Sequence, residues 1–85
     1  MKVGITGVAG MLGSHLSEIL INDGHSVVGI DDLSYGTKDN LSTVLDNERF
    51  KFLKFDARDR VFLSSAFIDC DFIVHLAAVK KIVES

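Results

Sequence analysis

The 85-residue chain contains no proline and no tryptophan, and only one cysteine and one tyrosine. With Cys70 alone, no disulfide can form within the chain. That fits a reducing compartment, and burial as an inert thiol is the ordinary fate of a lone cysteine. Without proline, a low-complexity tract or an internal repeat, nothing marks a linker between two domains. No stretch of 18 apolar residues occurs, so no membrane-spanning helix is predicted. Nine basic residues face twelve acidic ones, for a net charge of −3. The longest basic block is the pair Lys80-Lys81, too little to neutralise a phosphate backbone, so nucleic acid is not an expected partner. Met1-Lys2 followed by VGITGVAGMLG resembles a signal peptide only superficially. Its apolar part carries a threonine and four glycines and meets no small-residue cleavage site. The expected location is the cytoplasm, with no membrane partner.

What is present is the composition of a folded protein, 47% hydrophobic and 25% charged, enough for one domain or part of one. Lys2 to Thr6 is short, apolar and partly β-branched, a buried strand. Leu12, His15, Leu16, Ile19 and Leu20 then recur at three- and four-residue spacing, one face of a helix. Asn22-Asp23-Gly24 ends it, with Gly24 suited to the left-handed position that follows a helix. Ser26 to Asp31 reads as a second strand, and residues 32–40 as turn. A short helix through Leu41, Val44 and Leu45 follows. Phe50 to Phe55 is a third strand. Asp59 is an N-cap for a helix with Phe62, Leu63, Ala66 and Phe67 on one face. Asp71 to Leu76 is a fourth strand, and Val79 to Ser85 begins another helix. Strands alternating with helices imply right-handed crossovers and a parallel sheet. The fold class is therefore α/β: the first part of a Rossmann-type doubly wound sheet, four strands in the order 3-2-1-4.

The first strand runs into Thr6-Gly7-x-x-Gly10-x-x-Gly13. A glycine-rich turn between strand and helix is suited to a pyrophosphate. The helix start presents unpaired N–H groups and the positive end of its dipole, and glycine lets phosphates approach the backbone. The third glycine permits close packing of helix on strand. Gly4 continues the same three-residue beat upstream, and its place there reads as coincidence. The second strand ends in Asp31, 18 residues after Gly13. A carboxylate at that place accepts both hydroxyls of an adenosine ribose and repels a 2′-phosphate. No arginine lies between Asp31 and Arg49, so NAD is preferred over NADP.

The run TGVAGMLGSH, then DDLSYG from Asp31, then Asp56, then HLAAVK from His75 resembles the extended short-chain dehydrogenase/reductase family, the NAD-dependent epimerases and dehydratases. Within it, the ending HLAAVKKIVES is most similar to epimerases of the UDP-glucose 4-epimerase type. The resemblance implies roles for particular residues. The backbone at Gly7, Gly10, Met11, Leu12 and Gly13 would hold the NAD pyrophosphate. Asp31 would bind the adenosine ribose, with Asp32, Leu33, Ser34, Tyr35 and Gly36 wrapping the adenosine side. Asp56 and Ala57 would edge the adenine. Leu76, Ala77 and Ala78 would line the nicotinamide side, and Lys80 would reach the ribose and phosphate region.

Three positions depart from the family. Asp32 stands where asparagine is usual, Phe55 where glycine is usual, and Ala57 where a branched aliphatic residue is usual. The family's chemistry resembles proton abstraction by the tyrosine of a Tyr-x-x-x-Lys pair while NAD accepts hydride. Here the single tyrosine, Tyr35, has Lys38 three residues on rather than four. No catalytic residue is assigned. His75, in a strand, reads as a core histidine, and His15 and His25 lack ligand-spaced partners, so no metal is expected. The chain reads as the N-terminal part of the NAD-binding Rossmann domain of a nucleotide-sugar 4-epimerase, with a nucleotide-sugar substrate and a homodimer in the parent protein. A nucleotide-sugar 4,6-dehydratase and a non-catalytic dinucleotide-binding module are the competing readings.

Overall fold

The structure is a computed structural model that describes residues 1–34 and 36–77. Tyr35, Ala78 and Lys80, and the helix expected from Val79, lie outside the described residues.

The apolar and β-branched run Val3 to Thr6, entered through Lys2, makes β1 (Lys2–Thr6), the central strand. It pairs in parallel with β2 (Ser26–Asp31) on one side and β4 (Phe72–His75) on the other, and β2 pairs in parallel with β3 (Phe50–Lys54). The sheet order is β3-β2-β1-β4, as expected. Helix α1 (Met11–Asn22) connects β1 to β2, and α2 (Arg60–Ala66) connects β3 to β4.

Side-chain alternation along the strands divides the core in two. On one face Val3, Ile5, Val27 and Phe50 join Val8 and Ile21, with Leu16 and Leu20 of α1 packed against them. On the other face Val28 and Ile30 join Phe67, with Leu63 and Ala66 of α2 packed against them. Helices therefore cover opposite faces, the arrangement that parallel strands with crossovers require. Asp59 caps α2 as expected, its carboxylate accepting from the Phe62 N–H at 3.1 Å. Among the described residues no helix is long and apolar enough to cross a membrane.

Four expectations are corrected. His75, expected in the core, is exposed at the end of β4. The buried residues of α1 are Gly13, Ser17 and Ile21, whereas Leu12 and Ile19 of the expected face are exposed. Leucine spacing located one flank of the inward stripe. Its centre is set by Gly13, which lets the helix close on the backbone of Gly7 and Val8, and by Ser17, whose hydroxyl donates to the Gly13 carbonyl at 2.8 Å. The helix expected through Leu41 to Leu45 is a single 3-10 turn, Lys38–Leu41, followed by further turns. Leu41 and Val44 are nonetheless buried in the α1-face core. On α2, Phe62 turns outward and its ring meets Phe55, with centroids 3.9 Å apart.

Gly4 is also no bystander. A Cβ there would lie 2.7 Å from Cδ1 of the Phe67 ring, which is buried against the strand. Only a residue without a side chain lets that ring lie across β1. Gly4→Ala is expected to destabilise the fold by about 1–3 kcal/mol, the usual cost of overpacking a core. Urea unfolding monitored by circular dichroism measures it. A stability equal to that of the parent chain would show that Phe67 moves aside freely.

Candidate dinucleotide-binding site

The site lies where β1, β2 and β4 reach their C-terminal ends. After Thr6 the chain turns sharply at Gly7, which takes φ +72°. An L-residue pays about 1–2 kcal/mol for that conformation. The Gly7 and Val8 amides both donate to the Ile30 carbonyl, at 2.8 and 3.2 Å, tying the turn to the end of β2. Gly10 then takes the N-cap position, where it has no side chain to cap the helix, and α1 carries no acidic residue in its first turn. The first-turn amides of Met11, Leu12 and Gly13 are thus left for another acceptor, at the positive end of the helix dipole. Met11 and Leu12 are 85% and 66% exposed, so this end of the helix is open to solvent.

Asp31 is 8% exposed. Its Oδ2 accepts the Ala9 N–H at 2.9 Å, and its Oδ1 accepts the Leu33 N–H at 2.7 Å. The carboxylate therefore bridges the glycine turn and the segment after β2. A carboxylate has about four acceptor positions, so two remain for hydroxyl donors. Asp32 makes a second such turn, its Oδ1 accepting the Ser34 N–H at 2.9 Å. Between them Leu33 is held at φ +65°, its side chain packed on the α1-face core.

The structure gathers most of the predicted residues. A Cβ on Gly7 would lie 2.8 Å from the Ala77 amide, so Leu76 and Ala77 adjoin the turn. Gly36 is buried against the backbone of Ala9 and Gly10 rather than facing outward. Asp56 and Ala57 follow β3 at the other end of the site. Ala57 packs with Phe55 against the α2-face core. Asp56 is gripped by Arg58, with Nη2 to Oδ2 at 2.6 Å and Nε to Oδ2 at 3.0 Å. That hydrogen bond, then the charge of Asp56, raises the Arg58 guanidinium above its ordinary value, and Asp32 adds to the effect.

Four residues here were not anticipated from sequence: Ala9, Thr37, Asn40 and Arg58. The Ala9 carbonyl accepts from the Thr37 amide at 3.2 Å and from Asn40 Nδ2 at 2.8 Å. No periodicity marks such contacts, because they join segments about thirty residues apart through one main-chain group. Arg58 brings positive charge within electrostatic range of Asp32, although no arginine is near in sequence. Cys70 is outside the site. Burial pushes its thiol up, which makes thiolate scarce at neutral pH, in keeping with an inert role.

The profile of the GDP-mannose 4,6 dehydratase family matches residues 5–85. The chain belongs to that family. Its relatives carry out several reactions. It is 46% identical over 59 residues to a UDP-glucose 4-epimerase of Mycolicibacterium smegmatis, covering 69% of this chain and 19% of that protein. It is 36% identical over 77 residues to UDP-glucuronic acid decarboxylase 1 of Arabidopsis thaliana, covering 91% of this chain and 17% of that one. Among solved structures, dTDP-glucose 4,6-dehydratase DesIV of Streptomyces venezuelae, with NAD bound, superposes with a TM-score of 0.81 at 32% identity. That match covers 89% of this chain and 26% of the dehydratase. The chain thus spans about a quarter or less of the length of these relatives. The membership agrees with the extended short-chain dehydrogenase/reductase resemblance of the motifs. The relatives named differ in reaction, so membership of the family does not single out one transformation.

Proposed function

We propose that these 85 residues are the NAD-binding segment of a nucleotide-sugar 4-epimerase of the UDP-glucose type. The observation that carries the reading is the junction of Asp31 with the glycine turn. One buried carboxylate stands beside an uncapped helix start, so a ribose acceptor and a pyrophosphate cradle share one edge of the sheet. The backbone of Gly7, Gly10, Met11, Leu12 and Gly13 would hold the pyrophosphate, and Asp31 the adenosine ribose. Asp32, Leu33, Ser34, Tyr35 and Gly36 would flank the adenosine, and Asp56 and Ala57 the adenine. Leu76, Ala77 and Ala78 would lie along the nicotinamide side, with Lys80 toward the ribose and phosphate. NAD, when bound, would supply hydride acceptance. The residues of this chain bind and orient it, and no proton-transfer step falls to them.

A 4,6-dehydratase is the second reading, favoured by the name of the matching family and by the dehydratase fold match. Both readings require the same cofactor site. Calorimetric titration of the folded chain with NAD and with NADP tests that shared part. NAD is expected to bind at least about tenfold more tightly, since a 2′-phosphate would displace a ribose hydroxyl from a buried carboxylate and face its charge. Equal affinities would remove the argument from Asp31, and binding of neither would remove the reading.

A further inference from the structure

We propose that Asn40 is a positioning residue for the phosphate-binding turn, acting through the carbonyl of Ala9. The inference rests on the dinucleotide site described above and adds a residue that neither its glycine motif nor its acidic residue includes. Ala9 is fully buried in the middle of the turn, between Gly7 and Gly10. Its peptide groups are held on two sides. The N–H goes to Asp31 Oδ2 at 2.9 Å, and the C=O receives Asn40 Nδ2 at 2.8 Å and the Thr37 N–H at 3.2 Å. The two groups flank the same α-carbon, so together they fix its φ and ψ and hence the direction in which Gly10 enters α1.

Asn40 is itself held in place. It belongs to the 3-10 turn Lys38–Leu41, whose last residue, Leu41, is fully buried in the core. Lys38 in the same turn sits over the Phe52 ring, 5.6 Å from its centre. Gly36 closes the contact, since a Cβ there would collide with the Ala9 carbonyl carbon and oxygen. The Asn40 side chain is therefore presented from an anchored turn. A carboxamide suits the place because its NH2 donates to Ala9 without adding charge near a diphosphate.

The test compares Asn40→Ala and Asn40→Leu with the unsubstituted chain. Both variants remove the donor and neither adds charge, and Leu keeps nearly the same shape. Titrations use NAD and adenosine, and amide hydrogen exchange is followed at Ala9 and Thr37. Loss of one hydrogen bond predicts NAD affinity lower by about 3- to 10-fold, adenosine affinity unchanged and faster exchange at both amides. A purely structural role would lower NAD and adenosine affinity in parallel, and that result overturns the proposal. Unchanged NAD affinity in both variants, with the unsubstituted chain binding NAD, overturns it as well. If the unsubstituted chain binds no NAD, the functional reading fails on its own. The positioning claim is then decided by exchange, and unaltered rates at Ala9 and Thr37 reject it.

Discussion

Gly13→Ala is expected to abolish NAD binding and to cost roughly 3 kcal/mol of stability, the upper end of what overpacking usually costs. A Cβ at this position would stand 2.5 Å from the Gly7 carbonyl oxygen and 2.8 Å from the Val8 Cα. Both are backbone atoms of the turn itself. A flexible side chain could swing away, but these atoms move only if the turn opens or α1 tilts off the sheet. Either movement shifts the first-turn amides proposed to hold the pyrophosphate. Total stability for a chain of this length is roughly 4–13 kcal/mol, so the loss is large in proportion. Chemical denaturation gives the stability change and calorimetry the binding. Near-native NAD affinity in Gly13→Ala would mean that the phosphates do not sit on this helix start.

Asp31→Ala is expected to lower NAD affinity by about 100-fold or more, from two lost hydrogen bonds to a charged acceptor. It also destabilises the unliganded chain, for a separate reason. The Ala9 N–H is buried and donates to Asp31 Oδ2, so truncation leaves it unpaired, at a cost of about 1–3 kcal/mol. Asp31→Asn is the milder change. Its single amide oxygen satisfies Ala9 or Leu33, and its NH2 meets the other donor. The two effects separate experimentally: denaturation without ligand reads the strut, and NAD titration at a temperature where both proteins are folded reads the ribose contact. A variant as stable as the parent would rule out the strut, and unchanged affinity would rule out the ribose contact.

Much of the fold could be read from local pattern. β1 and β2 end where apolar, β-branched runs end, and α1 begins where the glycine turn ends. Asp59 caps α2 through a local hydrogen bond that its residue type and position announce. These features depend on near neighbours in the chain, which sequence displays directly. Strand order followed too, because right-handed crossovers leave few topologies open. The α1 face was harder to read. Leu12 and Ile19 have the spacing of core residues and lie outside it, while Gly13 and Ser17, unremarkable by hydropathy, lie at its centre. Contact between helix and turn at Gly13 is governed by how closely two backbones can approach. Hydrophobic periodicity does not measure that distance.

The candidate site divides in the same way. Gly7, Gly10, Gly13 and Asp31 were identifiable because a turn of this type requires particular residues at particular separations. Gly4, by contrast, falls on the same three-residue beat for another reason, and only the Phe67 ring lying across it reveals that reason. Asn40, Thr37 and Gly36 converge on the one peptide unit of Ala9 without any signature in spacing. Sequence alone therefore established the kind of fold: a parallel α/β sheet with a glycine turn and a carboxylate at the end of its second strand, each set by local conformational preference. Folding in three dimensions established how that turn is held and which residues hold it. Those contacts are made between chain segments brought together by the core, and their donors and acceptors are mostly main-chain groups that every residue carries.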